Sequence, residues 1–199
     1  AIETYILEDL NRPYASLFQY REFPSTYQGV VTVDPGTFGW YIDRFLEAEQ
    51  IAADVLAGRQ ITREPVIGGS GFGGEDEIGS DYVEVDIANQ MMTIYLGYEI
   101  VLQTPVVTGQ VGTNTIPGAY QVWEMESPSI LRGYNPIYET DYEQPVDYWI
   151  AFDDQAQGIH DADWQQYFGG DAYLTNGSLG CINTPPGVMP QVFDIVYNG

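Results

Sequence analysis

Between residues 68 and 74 the chain reads Gly68-Gly69-Ser70-Gly71-Phe72-Gly73-Gly74, and the hydrophobic period changes across this run. Upstream, Phe38, Tyr41, Ile42, Phe45, Leu46, Ile51, Ala52, Val55 and Leu56 recur at helical spacing, because roughly 3.6 residues per turn return every third or fourth side chain to one face. Downstream, Tyr82-Val83-Glu84-Val85-Asp86-Ile87 alternates apolar with polar residues, the period of a half-buried strand. A chain that changes period at a glycine-rich linker or long loop is expected to form two domains. We place the boundary within residues 65–80, with a partial α/β domain over 1–75 and a β-rich domain over 76–199. The glycines do not form a phosphate loop, since no Lys-Ser/Thr follows and no helix begins there.

Local signals fill in both parts. Val30-Val31-Thr32-Val33 reads as a strand running into the turn Asp34-Pro35-Gly36-Thr37. The helical periodicity predicts an amphipathic helix from Thr37 to a stop at Gly58, with Asp43, Glu47 and Glu49 as a solvated face. In the second part, Gln90 to Tyr95 and Glu99 to Leu102 flank Leu96-Gly97-Tyr98 as a hairpin. Further strands are expected at Thr104 to Thr108, Gly118 to Met125 and Asp147 to Phe152. A closing helix from Pro186 or Val188 to Tyr197 would turn Met189, Val192, Phe193 and Val196 inward. The prediction is a mostly antiparallel β domain with little helix.

Charge narrows the function. The 199 residues carry 29 acids against 6 arginines and no lysine, a net charge of −23. Such a surface has no cations to displace the counterions of a nucleic acid or to meet an anionic membrane. It admits partners that carry amines, and it also serves as a solubilising coat. Aromatic residues make up 14%, enough to build a core in spite of the charge. No run approaches the roughly 18–20 apolar residues of a membrane span, and no signal peptide opens the chain. Ala1-Ile2-Glu3-Thr4-Tyr5 reads as the middle of something longer, so an export signal or anchor is expected upstream of residue 1.

The chemistry concentrates on two residues. His160 and Cys181 are the only histidine and the only cysteine. Cys181 lies in Asn176-Gly177-Ser178-Leu179-Gly180-Cys181-Ile182-Asn183-Thr184-Pro185-Pro186, a run of small, turn-forming residues. A lone thiol in such a run with a histidine upstream is the pattern of a nucleophile and its base. An inert buried thiol and a core histidine are the alternative, but Gly177 and Gly180 permit a tight turn that could aim the amides of Gly180 and Cys181 at an oxyanion. Asp161 follows His160 directly and points away from its ring, so a backbone carbonyl is the expected orienter of the imidazole. One His and one Cys cannot supply the three or four ligands of a zinc site. A papain-like peptidase would need Cys before His, the reverse of the order here.

Ser178-x-Gly180-Cys181-Ile182-Asn183 with His160 upstream resembles the Ser-His-Gly-Cys signature of the bacterial L,D-transpeptidases. Tyr82-Val83-Glu84-Val85-Asp86 with Asn89-Gln90-Met91 is similar to the first strand of that family's catalytic domain. Thr104-Pro105-Val106-Val107-Thr108-Gly109 followed by Thr115-x-Pro117-Gly118-x-Tyr120 resembles its second block, and Pro145-Val146-x-Tyr148-Trp149 and His160-Asp161-Ala162-x-Trp164 complete the match. The resemblance covers residues 78–199. Thr37-Phe38-Gly39-Trp40 resembles the end of the peptidoglycan-binding domain that often precedes that catalytic domain.

The resemblance implies a mainly β fold: an L,D-transpeptidase-like β-sandwich with few short helices, preceded by a partial α/β domain and followed by a final strand after Gly199. It implies that Cys181 is the nucleophile and His160 the base, with Ser178 orienting His160. The amides of Gly180 and Cys181 would form an oxyanion hole, and Trp164, Asn183, Tyr148 and Leu179 would line the substrate site. The partners would be peptidoglycan stem peptides, with carbapenems as inhibitors, and no cofactor or metal is implied. The place of action would be extracytoplasmic. One position departs from the pattern: the family has His where this chain has Leu179. A wall-associated homologue with little or no turnover is therefore the alternative to an active transpeptidase.

Overall fold

A computed structural model describes residues 1–71 and 77–198. The chain divides into two compact units, neither contiguous in sequence. The first comprises Ala1–Phe23, Thr32–Gly79 and Pro117–Ala119; the second comprises Pro24–Val31, Ser80–Ile116 and Tyr120–Gly199. Strands β1 (Arg21–Ser25) and β2 (Gly29–Val33) form a two-stranded sheet. The tip of this hairpin belongs to the second unit, where the Glu84 carboxylate accepts from Ser25 Oγ at 2.7 Å and Gln28 donates to Asp86 at 2.8 Å.

In the first unit, β3 (Trp40–Ile42) pairs antiparallel with β4 (Ile67–Gly69), and a helix follows at Arg44–Leu56. The helix starts later than its periodicity suggests because Asp43 caps it. The Asp43 carboxylate accepts from the amides of Phe45 at 3.0 Å and Leu46 at 3.1 Å, which fixes the first turn there. Phe38, Tyr41 and Ile42 thus precede the helix, and the last two are strand residues. The first glycines of the supposed linker are strand as well. Gly68 is needed there because a Cβ would lie 2.8 Å from the Tyr41 ring. Phe72, Gly73 and Gly74 lie outside the described residues.

The helix keeps Glu49 exposed as expected but buries Glu47 of the same acidic face. Glu47 and Asp54 are buried, whereas Phe45, Leu46, Val55 and Leu56 are exposed. The cause is Arg63, whose two terminal nitrogens meet the Glu47 carboxylate at 2.8 and 2.9 Å and whose Nε reaches Asp54 at 3.4 Å. A bidentate ion pair lets the carboxylate leave water. The Arg63 hydrogen bond holds the Glu47 carboxyl below its ordinary range, against the opposing effect of burial.

The second unit contains β5 (Tyr82–Asp86), β6 (Met91–Leu96), β7 (Glu99–Pro105), β8 (Glu124–Glu126), β9 (Ser129–Asn135), β10 (Thr140–Val146), β11 (Trp149–Ala151), β12 (Gly158–Asp161) and β13 (Ile182–Thr184). Strands β5, β6 and β7 form an antiparallel meander. A second sheet runs β13-β12-β11-β8, with β12 and β13 parallel and the other pairs antiparallel. The expected strand at Thr104 to Thr108 is divided. Its start ends β7, and Val107 then crosses to exchange backbone hydrogen bonds with Asn183 at 2.9 and 2.8 Å. The expected Gly118 to Met125 strand shrinks to β8. The hairpin β9–β10 has no clear signal in the sequence, because most of its residues are exposed and polar.

Met92 and Ile94 of β6, Val106, Ile150, Ile159 and Ile182 of the second sheet, and Met189 and Val192 of the helix Met189–Asn198 form one buried cluster. This is a β-sandwich core closed by a helix. Each such side chain contributes about 1.5–3 kcal/mol on leaving water. Among the described residues, no helix is long and apolar enough to cross a membrane.

Candidate active site

The site follows from the parity of the second sheet. Ile150 pairs with Ile159 and Ile159 with Ile182, and all three enter the core. Side chains alternate faces along a strand, so the intervening positions face the other way. Trp149 pairs with His160, His160 with Asn183, and Ala151 with Gly158. Cys181, two residues before Asn183, joins this second face and packs against the cluster of Val146, Trp149 and Ala151. Two residues along one strand and one strand across separate the His160 and Cys181 backbones by about 8 Å, a span that an imidazole and a thiol can close between them. The hydrophobic core and the reactive face are thus two sides of one sheet.

His160 is buried. Its Nδ1 lies 2.8 Å from the carbonyl oxygen of Asp161. A carbonyl only accepts, so Nδ1 carries the proton and Nε2 keeps its lone pair. Trp149 and Trp164 flank the ring, with centroids 6.1 and 5.7 Å away. Burial lowers the imidazole pKa, and the Asp161 carbonyl and carboxylate oppose that shift. The Asp161 carboxylate turns away to accept from the amides of Asp147 at 3.2 Å and Tyr148 at 2.8 Å. A backbone carbonyl does orient the imidazole, and it is that of Asp161. The orienting role that the resemblance gives to Ser178 is not seen in this geometry.

Ser178 instead shapes the turn before Cys181. Its hydroxyl donates to the Cys181 carbonyl at 2.6 Å and accepts from the Gly180 amide at 3.0 Å. The Gly180 amide, expected to serve an oxyanion, is therefore engaged in the resting site. Gly180 has φ +126, a conformation that side chains oppose, and the turn needs it. Thr115 donates to the Gly180 carbonyl at 2.7 Å and Thr113 to the Ser178 carbonyl at 3.0 Å. Leu179 is half-buried in this turn.

The Cys181 thiol donates to the carbonyl of Ala156 at 3.7 Å. Burial pushes its pKa up to about 11, helped by the Asp153 charge, while a hydrogen bond from the Gly158 backbone opposes the rise. The resting pair is thus a neutral thiol and a neutral imidazole. Gly158 is dictated by packing: a Cβ there would lie 2.3 Å from the Trp149 ring.

The other sequence candidates divide. Trp164 lies beside His160 and is 42% exposed. Asn183 is buried on the site face and donates to Gln165 at 3.1 Å. Tyr148 is not brought to the site. Its ring packs into the core, 5.1 Å from Phe193, because it precedes Trp149 and takes the opposite face. Trp149, Thr115 and Tyr142 are site residues that sequence reasoning did not assign. Burial and the nearby Cys181 raise the Tyr142 pKa, which brings a phenol from β10 into electrostatic range of the sulfur. Thr115 and Trp149 stood in recognisable blocks, and Tyr142 did not.

Residues 80–199 match the YkuD family, the L,D-transpeptidase catalytic domain. The chain belongs to the L,D-transpeptidase family. Its structure is similar to a crystal structure of an Enterococcus faecium L,D-transpeptidase mutant, with a TM-score of 0.78 and 40% identity, over 97% of this chain and 76% of that one. It is equally similar to the Ldtfm–avibactam carbamoyl enzyme, with a TM-score of 0.78 and 40% identity over 97% and 75% of the two chains. The catalytic domain of the E. faecium L,D-transpeptidase acylated by ertapenem is 45% identical over 58% of this chain and 88% of that one, with a TM-score of 0.53. Comparison with curated proteins gives no match. L,D-transpeptidases are acyltransferases, and the mainly β fold and the family read from the Cys181 motif stand together.

Proposed function

We propose that this protein is an extracytoplasmic peptidoglycan L,D-transpeptidase that works through Cys181 and His160. The observation that carries the proposal is the shared sheet face: His160 is held by the Asp161 carbonyl with Nε2 as acceptor, on the side of the sheet that carries Cys181. The thiol is protonated at rest, so its proton passes to His160 Nε2 as sulfur bonds to the carbonyl carbon of the L,D bond in a donor tetrapeptide stem. Collapse of the tetrahedral adduct breaks the C–N bond. The imidazolium returns its proton to the leaving amine, and terminal D-alanine departs from a thioester. The amine of an acceptor stem then attacks the thioester, and sulfur leaves with the proton. Cys181 and Gly180 amides serve the oxyanion, the latter after leaving Ser178. Trp164, Asn183 and Leu179 contact or frame the stems.

A weakly active wall-associated homologue is the second reading. It is favoured by Leu179, which can neither donate a hydrogen bond nor carry a proton, and by the raised thiol pKa. Mass spectrometry separates the two. Incubation with imipenem should add one drug mass to the native protein and none to Cys181→Ser, and a donor tetrapeptide mixed with an acceptor stem should yield the cross-linked product. Drug addition without cross-linking would favour the second reading. Absence of both would overturn the first.

A further inference from the structure

The turn between β11 and β12 contains a buried carboxylate that the chemistry above does not use. Asp153 is 1% exposed. Its Oδ1 accepts from the backbone amides of Gln155 at 3.0 Å and Gln157 at 2.7 Å, and its Oδ2 accepts from Gln157 Nε2 at 2.7 Å. Among the described residues no ion pair includes it. A buried carboxylate satisfied by N–H donors locks the geometry of those donors.

What it locks is the cradle of the sulfur. Within this turn Ala156 sits at φ +63, a backbone state that costs a non-glycine residue energy unless its surroundings impose it. The Ala156 carbonyl accepts the Cys181 thiol proton at 3.7 Å, and the Gly158 backbone hydrogen-bonds the same sulfur from two residues further on. Gln157, also buried, reaches two other places. Its Oε1 accepts from the Ile116 amide at 3.0 Å, and its Cγ would be 3.4 Å from a Cβ on Gly180. One side chain therefore backs the turn before the nucleophile while another holds the loop in front of it.

We propose that Asp153 and Gln157 are a positioning pair for Cys181: they hold the 153–157 turn so that Ala156 and Gly158 grip the sulfur, and they support the Gly180 turn that presents it. Neither side chain touches the reacting atoms. Three ionisable groups face the thiol: Asp153 from this turn, Tyr142 from β10 and His160 from β12. The Asp153 charge raises the thiol pKa, so its field also keeps the resting thiol protonated until His160 takes the proton. This inference rests on the reading of Cys181 as the nucleophile.

Two single variants and their reciprocal pair test it. Asp153→Asn keeps one acceptor oxygen but sets two amide donors face to face. Gln157→Leu keeps the carboxylate and removes both side-chain bonds. The double variant Asp153→Asn/Gln157→Glu restores a donor opposite an acceptor and leaves the Ile116 amide paired. Acylation by imipenem should slow about tenfold or more in each single variant, the usual effect of misplacing a reacting group, and should recover most of the loss in the double. The pH midpoint of iodoacetamide alkylation should fall by about one unit in Asp153→Asn and should not fall in Gln157→Leu. Unchanged rates in both single variants, or a double variant as slow as its parents, would overturn the proposal. Should Asp153→Asn not fold, Gln157→Leu and the double variant decide the matter. Alkylation reads the thiol directly, so a native protein inert to imipenem would sink the transpeptidase reading while leaving this comparison intact.

Discussion

Buried carboxylates in the two units show two ways of keeping a negative charge out of water. In the first unit Glu47 is neutralised by Arg63, with bidentate contacts of 2.8 and 2.9 Å, and Asp54 by Arg59 at 2.7 Å and Arg63 at 3.4 Å. In the second, Asp153 is satisfied only by N–H groups. A paired charge projects little field beyond its partner, so the first arrangement is a local tether whose loss costs stability. An unpaired but fully hydrogen-bonded charge keeps its field, and the nearest responsive group is the Cys181 thiol.

The sharpest break in this comparison is at the thiol itself. Cys181→Ser should abolish acylation by a carbapenem entirely while costing about 1 kcal/mol or less of stability, since the change is small and lies in a turn. A thermal midpoint near the native value with no drug adduct is the expected pair of results. Residual adduct would mean another nucleophile.

His160→Ala comes next, with acylation slowed roughly 10²- to 10⁴-fold, the usual contribution of a positioned base. Single-turnover rates from pH 6 to 9 check this. A rate equal to the native one across that range would make His160 a packing residue between two tryptophans.

The first unit should behave in the opposite way. Arg63→Met should lower the thermal midpoint, because it strands the buried Glu47 carboxylate and leaves Asp54 to Arg59, 2.7 Å away, and leave the acylation rate of the folded protein unchanged. The pH dependence sharpens the contrast. The folded pKa of Glu47 lies below the ordinary 4.5, so its contribution is fully present above the unfolded value and is lost as pH falls through the folded one. Thermal melts from pH 6 down to pH 2 should show this acid loss in the native protein and a flatter profile in Arg63→Met. Equal slopes would mean that the ion pair adds nothing to folding.

Leu179→His should give the smallest effect. A histidine there restores a group that can hydrogen-bond or carry a proton, so donor or acceptor placement should improve before thiol reactivity does. Cross-linking of stem peptides should rise more than alkylation by iodoacetamide. Equal changes in both would show that position 179 acts on the thiol and not on the substrate.

The amino-acid sequence by itself determined the β-rich character of the second unit, the hairpin at Gly97 and Tyr98, the inward face of the closing helix and the family motif around Cys181. These are local properties: period, turn chemistry, and a single His and a single Cys leave few choices. Tertiary structure decided what local signals cannot encode. Asp43 overruled the apolar periodicity at the start of the helix because a cap satisfies amides that periodicity ignores. Arg63, distant in sequence, drew Glu47 and Asp54 of that helix inward. Strand parity sent Tyr148 into the core and Trp149 to the site, since a shift of one residue exchanges the faces of a sheet. Ser178 went to the turn and the Asp161 carbonyl to the imidazole, and Asp153 and Gln157 met Cys181 only once β11, β12 and β13 lay side by side. Contacts between residues far apart in sequence are set by register and packing, and those exist only in the folded chain.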